Sequence, residues 1–195
     1  MEGMNMDVST AIKERRSCRG FLPTPVADET IEKILEAAVW APSPMNAQPW
    51  EFIVITNQEL KEKIYSEAED CKKSLFEISG WKWLGRYQVD FILSAPVIVA
   101  VVGNPEKTGA DRFLEGGGMA YQHACAAAIQ NMLLTAHALG LSSLWFTLFD
   151  FNRMREILGI DPVKVPLALV LIGNAVDQPL QTGRKDALEQ TKHIR

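Results

Sequence analysis

Arg15-Arg16-Ser17-Cys18-Arg19 gathers three guanidinium groups within five residues of a 195-residue chain whose formal net charge is -4. Clustered cations repel one another unless an anion or a ring of acceptors holds them. Arg suits a phosphate because its planar fork donates two parallel hydrogen bonds and keeps its charge at any working pH. Ser17 adds a short hydroxyl donor for a phosphate or a sugar hydroxyl. The stretch reads as a clamp for a phosphate-bearing cofactor, with a solvated charge run at a helix end as the plainer alternative. A second stretch, Ala41-Pro42-Ser43-Pro44-Met45-Asn46-Ala47-Gln48-Pro49-Trp50, is stiffened by its prolines, each of which fixes its own φ and biases the preceding residue toward extended backbone. It displays Ser43, Asn46 and Gln48, which each donate and accept, as a polyhydroxyl chain requires. A tight helix-to-strand connection explains the same residue types.

These two stretches must be held by the elements around them. Val8 to Arg16 reads as a short helix with Asp7 at its N-cap, and Gly20 to Val26 as extended loop. Ile31, Ile34, Leu35, Ala38 and Val39 recur on one face of an amphipathic helix that starts near Asp28 and stops at Ala41-Pro42. Trp50 to Thr56 is a strand, Asn57 to Asp70 a charged and exposed helix, and Cys71 to Val89 a region of short helices and loop. Pro96 to Gly103 is a strand covered on both faces. Gly116 to Leu139 is the most hydrophobic helix, stopped by Gly140. Ser143 to Phe149 and Val165 to Ile172 are strands, with a short helix between them over Phe151 to Leu158. Strands and helices do not alternate as βαβ units would, which predicts an α+β fold with a mostly antiparallel or mixed sheet flanked by helices. The expected organisation is a single domain over residues 1–195, with the polar segment 179–195 as a C-terminal tail.

Composition removes several classes of function. An apolar share of 47% with 23% charged residues is that of a globular chain. A sequence pI near 5.5 argues against nucleic acid as a partner, so the local Arg cluster calls for a small anion. Cys18, Cys71 and Cys125 are odd in number and widely spaced, which suits neither a disulfide framework nor a metal site and fits a reducing cytoplasm. His123, His137 and His193 lack metal-ligand spacing. The first ten residues do not read as a signal peptide, and no apolar run is long enough to span a bilayer. Gly116-Gly117-Gly118 lacks the spacing and the preceding strand of a dinucleotide fingerprint.

Taken together, Arg15-Arg16-Ser17 with Arg19 and Phe21, then Ala41-Pro42-Ser43, Asn46 and Gln48-Pro49-Trp50, resemble the nitroreductase family of flavoproteins. Gln130 to Leu134, Ala136 to Leu141, Trp145 and Val165-Pro166 with the strand to Gly173 continue the likeness, from about Val8 to about Pro179. The resemblance implies an intertwined FMN-binding homodimer with two flavins at the subunit interface. Arg15, Arg16, Ser17 and Arg19 would hold the phosphate and ribityl chain. Pro42, Ser43, Asn46 and, less firmly placed, Gln48 would meet the same flavin from the other subunit. Backbone N–H groups of Phe146 and Thr147 would lie near the isoalloxazine, and Arg184 or Lys185 in the tail would complete the phosphate site. FMN accepts hydride at N5 and passes it on, so no catalytic side chain is required. The implied activity is hydride transfer from NADH or NADPH to a nitroaromatic, a quinone or a related small acceptor, by a ping-pong mechanism.

The chain departs from some family members in the loop after Gly140-Leu141, where Trp145-Phe146-Thr147-Leu148-Phe149 replaces a Glu or paired glycines. Cys18 lies inside the clamp with no partner that would mark it as a nucleophile, and reads as a small apolar filler. Trp81, Trp83 and Tyr87 either cap the pocket as an aromatic lid or simply pack. A flavin store or redox sensor without turnover is the reading from a different class. A reductive dehalogenase or a flavin-consuming enzyme would be a specialised relative of the reductase.

Overall fold

The computed structural model describes residues 6–177 and 179–194. The expectation for the first ten residues thus lies, over residues 1–5, outside the described part. Helix α1 (Val8–Glu14) opens with Asp7, whose side chain accepts from the Thr10 N–H, and is followed by α2 (Asp28–Val39) and strand β1 (Trp50–Ile55). Next come α3 (Gln58–Ser79), the single turn α4 (Phe91–Ser94), β2 (Val97–Gly103) and α5 (Ala120–Ala138). Strand β3 (Ser142–Phe146), α6 (Phe151–Leu158) and β4 (Val165–Gly173) complete the fold. The four strands pair in the order β1-β2-β4-β3, every pair antiparallel. This is the α+β architecture expected from the sequence, its sheet antiparallel throughout.

The period of two along the central strands divides the interior into two cores. Val97, Val99 and Val101 of β2, with Ala168, Val170 and Ile172 of β4, face α2 and α5. Ile98 and Ala100, with Leu169 and Leu171, face the side covered by α3, α4 and α6. Because both faces are buried, β2 and β4 read as continuous apolar runs rather than as alternation. The alanines of α5 serve close approach: Ala124 and Ala128 pack in the core that Ile31, Ile34 and Ala38 of α2 also enter.

Several boundaries differ from the sequence reading, each for a local reason. Helix α3 continues through Cys71 to Ser79 and stops where Gly80 takes the left-handed conformation. It is charged but not wholly exposed, since Lys61 and Glu67 are buried. Lys61 Nζ donates to the carbonyls of Ala95 at 2.7 Å and Pro96 at 3.1 Å, and Glu67 accepts from the Asp150 N–H at 2.9 Å. Helix α5 starts at Ala120, later than Gly116, because Asp111 Oδ2 accepts from the N–H groups of both Met119 and Ala120 at 2.8 Å. Gly117 packs against that turn so tightly that a Cβ would sit 1.9 Å from the Asp111 carbonyl oxygen. Strand β3 ends at Phe146 rather than Phe149, and α1 ends at Glu14 rather than Arg16.

Candidate functional site

Arg15 ends α1 by taking ψ near 131°, which turns the chain out of the helix. Ser17 then forms a parallel bridge with Ser143 of β3, and the Cys18 N–H donates to the Ser143 carbonyl at 3.0 Å. On its other flank the segment meets the chain beyond β4. The Val176 N–H donates to Gly20 O at 2.9 Å, the Leu22 N–H donates to Asn174 O at 2.8 Å, and Phe21 bridges Ala175. Cys18, 2% exposed, anchors the stretch in the core, as a small apolar filler would. The clamp is therefore a short extended segment fixed along the β3 edge, not a loose charge run.

This segment, Val176 and Asp177, and the tail residues Pro179, Leu180, Thr182 and Arg184 line a cavity of about 680 Å³. Arg15, Arg16, Ser17 and Arg19 all belong to its wall. Of the two tail candidates, Arg184 lines it and Lys185 does not. Arg15, Arg16, Arg19 and Arg184 make no ion pair among the described residues. Burial, then the charges of Arg16 and Arg184, pull Arg15 below its usual guanidinium value. Four guanidinium groups against the one carboxylate of Asp177 leave the wall net positive, and the donor set fits a phosphate.

The four guanidinium groups are not equivalent. Arg16 Nη1 donates to Lys13 O at 2.6 Å and Arg15 O at 2.8 Å, closing the C-terminus of α1. Arg184 Nη1 is tied to its own turn through Thr182 Oγ1 at 2.7 Å and Gly183 O at 3.0 Å. Arg19 Nε donates to the Tyr87 hydroxyl at 3.3 Å.

The proline-rich loop is strained. Met45, Asn46 and Gln48 have φ of 50°, 55° and 46°, a left-handed conformation that costs a non-glycine residue roughly 1–2 kcal/mol. Ser43 Oγ holds the turn by accepting from the Gln48 N–H at 3.1 Å, and Gln48 Nε2 donates to Asn46 Oδ1 at 3.3 Å. Strain is concentrated in three of four consecutive residues, which an ordinary helix-to-strand connection does not require. Pro42, Ser43, Asn46 and Gln48 do not line the Arg cavity.

Phe146 lies three residues along β3 from the Ser17–Ser143 bridge, roughly 10 Å at the usual strand rise. Phe146 is buried as a whole residue and pairs with Leu169 of β4. Thr147 lines a separate, mostly apolar cavity of about 370 Å³ with Trp145, His123 and Phe151. Trp81, Trp83 and Tyr87 pack in series at centroid distances of 6.2 and 5.7 Å, continuing through Phe91 to Phe146. Sequence reasoning missed the Tyr87–Arg19 contact and the Leu180 and Thr182 wall, because no local pattern pairs residues so distant in the chain. The described residues hold no cluster of three or more His, Cys, Asp or Glu side chains able to bind a metal. None of their helices is long and apolar enough to cross a membrane.

The antiparallel α+β sheet, with an arginine clamp fixed to its β3 edge, corresponds to a known family. The nitroreductase family model matches residues 12–174, and the chain belongs to that family. It is 31% identical over 178 residues to a Methanothermobacter thermautotrophicus protein provisionally named NADH dehydrogenase/NAD(P)H nitroreductase, covering 89% of this chain and 80% of that one. Its fold superposes on a BluB-like flavoprotein from Clostridium difficile with a TM-score of 0.80 at 26% identity, covering 98% and 100% of the two chains. A Desulfovibrio desulfuricans protein, provisionally a nitroreductase and solved in complex with FMN, matches with a TM-score of 0.73 at 26% identity over 98% and 99%.

Proposed function

We propose that this chain is an FMN-dependent oxidoreductase that takes hydride from NADH or NADPH and delivers it to a nitroaromatic, a quinone or a related small acceptor. The observation that carries the reading is the set of four guanidinium groups, in no ion pair among the described residues, around one cavity whose wall holds a single carboxylate, Asp177. Arg15, Arg16, Arg19 and Arg184 would hold the phosphate, and the Ser17 hydroxyl would donate to the phosphate or the ribityl chain. Half-burial of Arg15 strengthens its attraction for an anion, since water screens it less. Phe146 and Thr147 would present backbone N–H groups to the ring. When bound, FMN would supply hydride transfer at its N5.

The protein is read as a single domain that works as a homodimer in the cytoplasm. Pro42, Ser43, Asn46 and Gln48 do not reach the Arg cavity of their own chain, which supports a contribution from a second copy. The tail over residues 179–195 would complete each site while packing on the partner. Its Arg195 lies outside the described residues.

The test is the absorbance spectrum of the purified protein with release and identification of the flavin. Steady-state oxidation of NADH and NADPH should follow, with quinone and nitroaromatic acceptors. Bound FMN and parallel double-reciprocal lines are expected. Bound FMN that passes nothing to any acceptor would favour a flavin store, and a colourless protein that fails to take up FMN would overturn the proposal.

A further inference from the structure

The cavity of about 370 Å³ at the end of β3 remote from the clamp takes no part in holding a phosphate. Two periodicities build its walls. Trp145 pairs with Val170 of β4, whose side chain lies in the core shared with α2 and α5, so the indole projects on that face of the sheet. Gln122, Ala126 and Ile129 recur at i, i+4 and i+7 of α5, which sets them in one row along the cavity. Leu167 of β4 and Phe151, the first residue of α6, complete the apolar lining. Between the α5 row and the indole, Ala126 contributes only a methyl group, which leaves the space open. Trp145 and Phe151 stay 37% and 46% exposed, so both rings are within reach of a ligand.

Among the described residues that line the cavity, none carries a fixed charge. A carboxylate, or the pyrophosphate of a pyridine dinucleotide, would lie there without a counter-charge, and burying an unpaired charge is costly. The indole and the phenyl ring instead offer faces and edges for contact with a flat ring. The volume falls at the lower end of the range for small-molecule pockets, which suits a single small ring system. Polar groups are few. The Gln122 amide nitrogen already donates to the Tyr121 hydroxyl at 3.0 Å, whereas His123 and Thr147 are exposed residues on the rim. An imidazole N–H and a hydroxyl are donors that can meet a ligand oxygen. We infer that this cavity binds a small uncharged aromatic compound bearing acceptor oxygens, a nitroarene or a quinone, with His123 orienting the oxygen. As the acceptor site of an enzyme it rests on the reductase reading, in which the Thr147 N–H faces the flavin ring while Thr147 also lines this cavity.

The test titrates the FMN-loaded, oxidised protein with nitrobenzene, without a hydride donor, and follows the imidazole signals of its three histidines by NMR. Saturable shifts at His123, with His137 and His193 unmoved, are expected. Toluene, the same ring without oxygens, should bind about two- to tenfold more weakly, the net worth of one hydrogen bond. The charged 4-nitrobenzoate should also bind more weakly than nitrobenzene. His123→Leu should lower nitrobenzene affinity by the same two- to tenfold and leave toluene affinity unchanged, with the ligand then followed by its own proton signals. His123→Gln, which restores a donor, should recover part of the loss. Ala126→Leu should fill the space and abolish binding of both compounds. Should Ala126→Leu fail to fold, the exposed His123 variants keep the test decisive. No saturable shift at His123, equal affinity for nitrobenzene in His123→Leu, or undiminished binding in a folded Ala126→Leu would each overturn the inference. Binding seen in the apoprotein but abolished by FMN would overturn it too, by giving the cavity to the flavin ring. If the protein takes up no FMN, the same titration of the apoprotein judges the cavity by the His123 and Ala126 criteria, and only the reductase reading falls.

Discussion

The Tyr87 hydroxyl accepts a hydrogen bond from Arg19 Nε at 3.3 Å, and the Arg19 guanidinium carbon lies 5.8 Å from the centre of the Tyr87 ring. The aromatic segment after α3 is thereby tied to the proposed phosphate clamp, although 68 residues separate the two in sequence. Tyr87 holds the guanidinium in place without neutralising it, which leaves its charge for an anion. Tyr87→Phe should therefore weaken FMN binding about two- to tenfold, the net worth of one hydrogen bond. Stability should change little, because Tyr87 is only half-buried. Fluorescence titration of the apoprotein with FMN checks this, and unchanged affinity would reduce Tyr87 to a packing residue.

Arg15 and Arg16 should separate in mutation. Arg15→Ala removes a half-buried cation whose guanidinium has no partner among the described residues, so it should cost about 1.5–3 kcal/mol, or roughly 10- to 150-fold, in FMN affinity. Arg16→Ala should cost flavin affinity and also melt the protein earlier, since it strips the donor from Lys13 O and Arg15 O at the end of α1. Measuring flavin affinity and apoprotein melting temperature on both variants resolves the two roles. A loss under twofold in FMN affinity for either would remove that residue from the clamp.

Much of this arrangement is legible in the sequence, for reasons that can be located. Asp7, the Ile31–Ile34–Ala38 face and the β-branched run of β2 announce their elements because caps and periodicity are local. The clamp announces itself because three arginines in five residues conflict with an acidic chain. What escapes is tertiary. Lys61 and Glu67 look like surface charges on α3 until the carbonyls of Ala95 and Pro96 and the Asp150 N–H arrive from elsewhere in the chain. The left-handed residues Met45, Asn46 and Gln48 carry no glycine to announce them. The Ser143 hydroxyl, buried without a partner among the described residues, is invisible until β3 is set beside α5.

Lys61 gives the protein a stability that rises with pH at the alkaline end. Burial holds its ammonium below the usual lysine value of 10.5, and two carbonyls rather than a carboxylate receive it. With the folded value depressed, the unfolded chain binds more protons in the window from the folded value up to 10.5. The unfolding free energy therefore climbs across that window, and the cost of burying the charge is fully present below it. Lys61→Met should flatten this climb. It should also destabilise the protein near neutral pH by about 1–3 kcal/mol, because both carbonyls lose their donor. Urea unfolding at a series of pH values, wild type against variant, reads both effects.

Deleting residues 179–195 should weaken flavin retention and subunit association together. The deletion removes Pro179, Leu180, Thr182 and Arg184 from the cavity wall, and with them one of its four cations. Leu180, Leu188 and Ile194 are largely exposed on the isolated chain, apolar side chains that a partner subunit would cover. Analytical ultracentrifugation with bound flavin read by absorbance provides the measurement. A truncated protein that remains a tight, fully yellow dimer would show the tail to be an appendage.

The bridge from Ser17 to Ser143 and the Cys18 bond to Ser143 O place the clamp segment along the outer edge of β3. An outer strand with unpaired N–H and C=O groups is a template for pairing with another chain. The segment that would grip the cofactor is thus also the guard on that side of the sheet. Loosening it in an empty protein would bare the start of β3 to its neighbours, so flavin starvation and self-association would share a common origin.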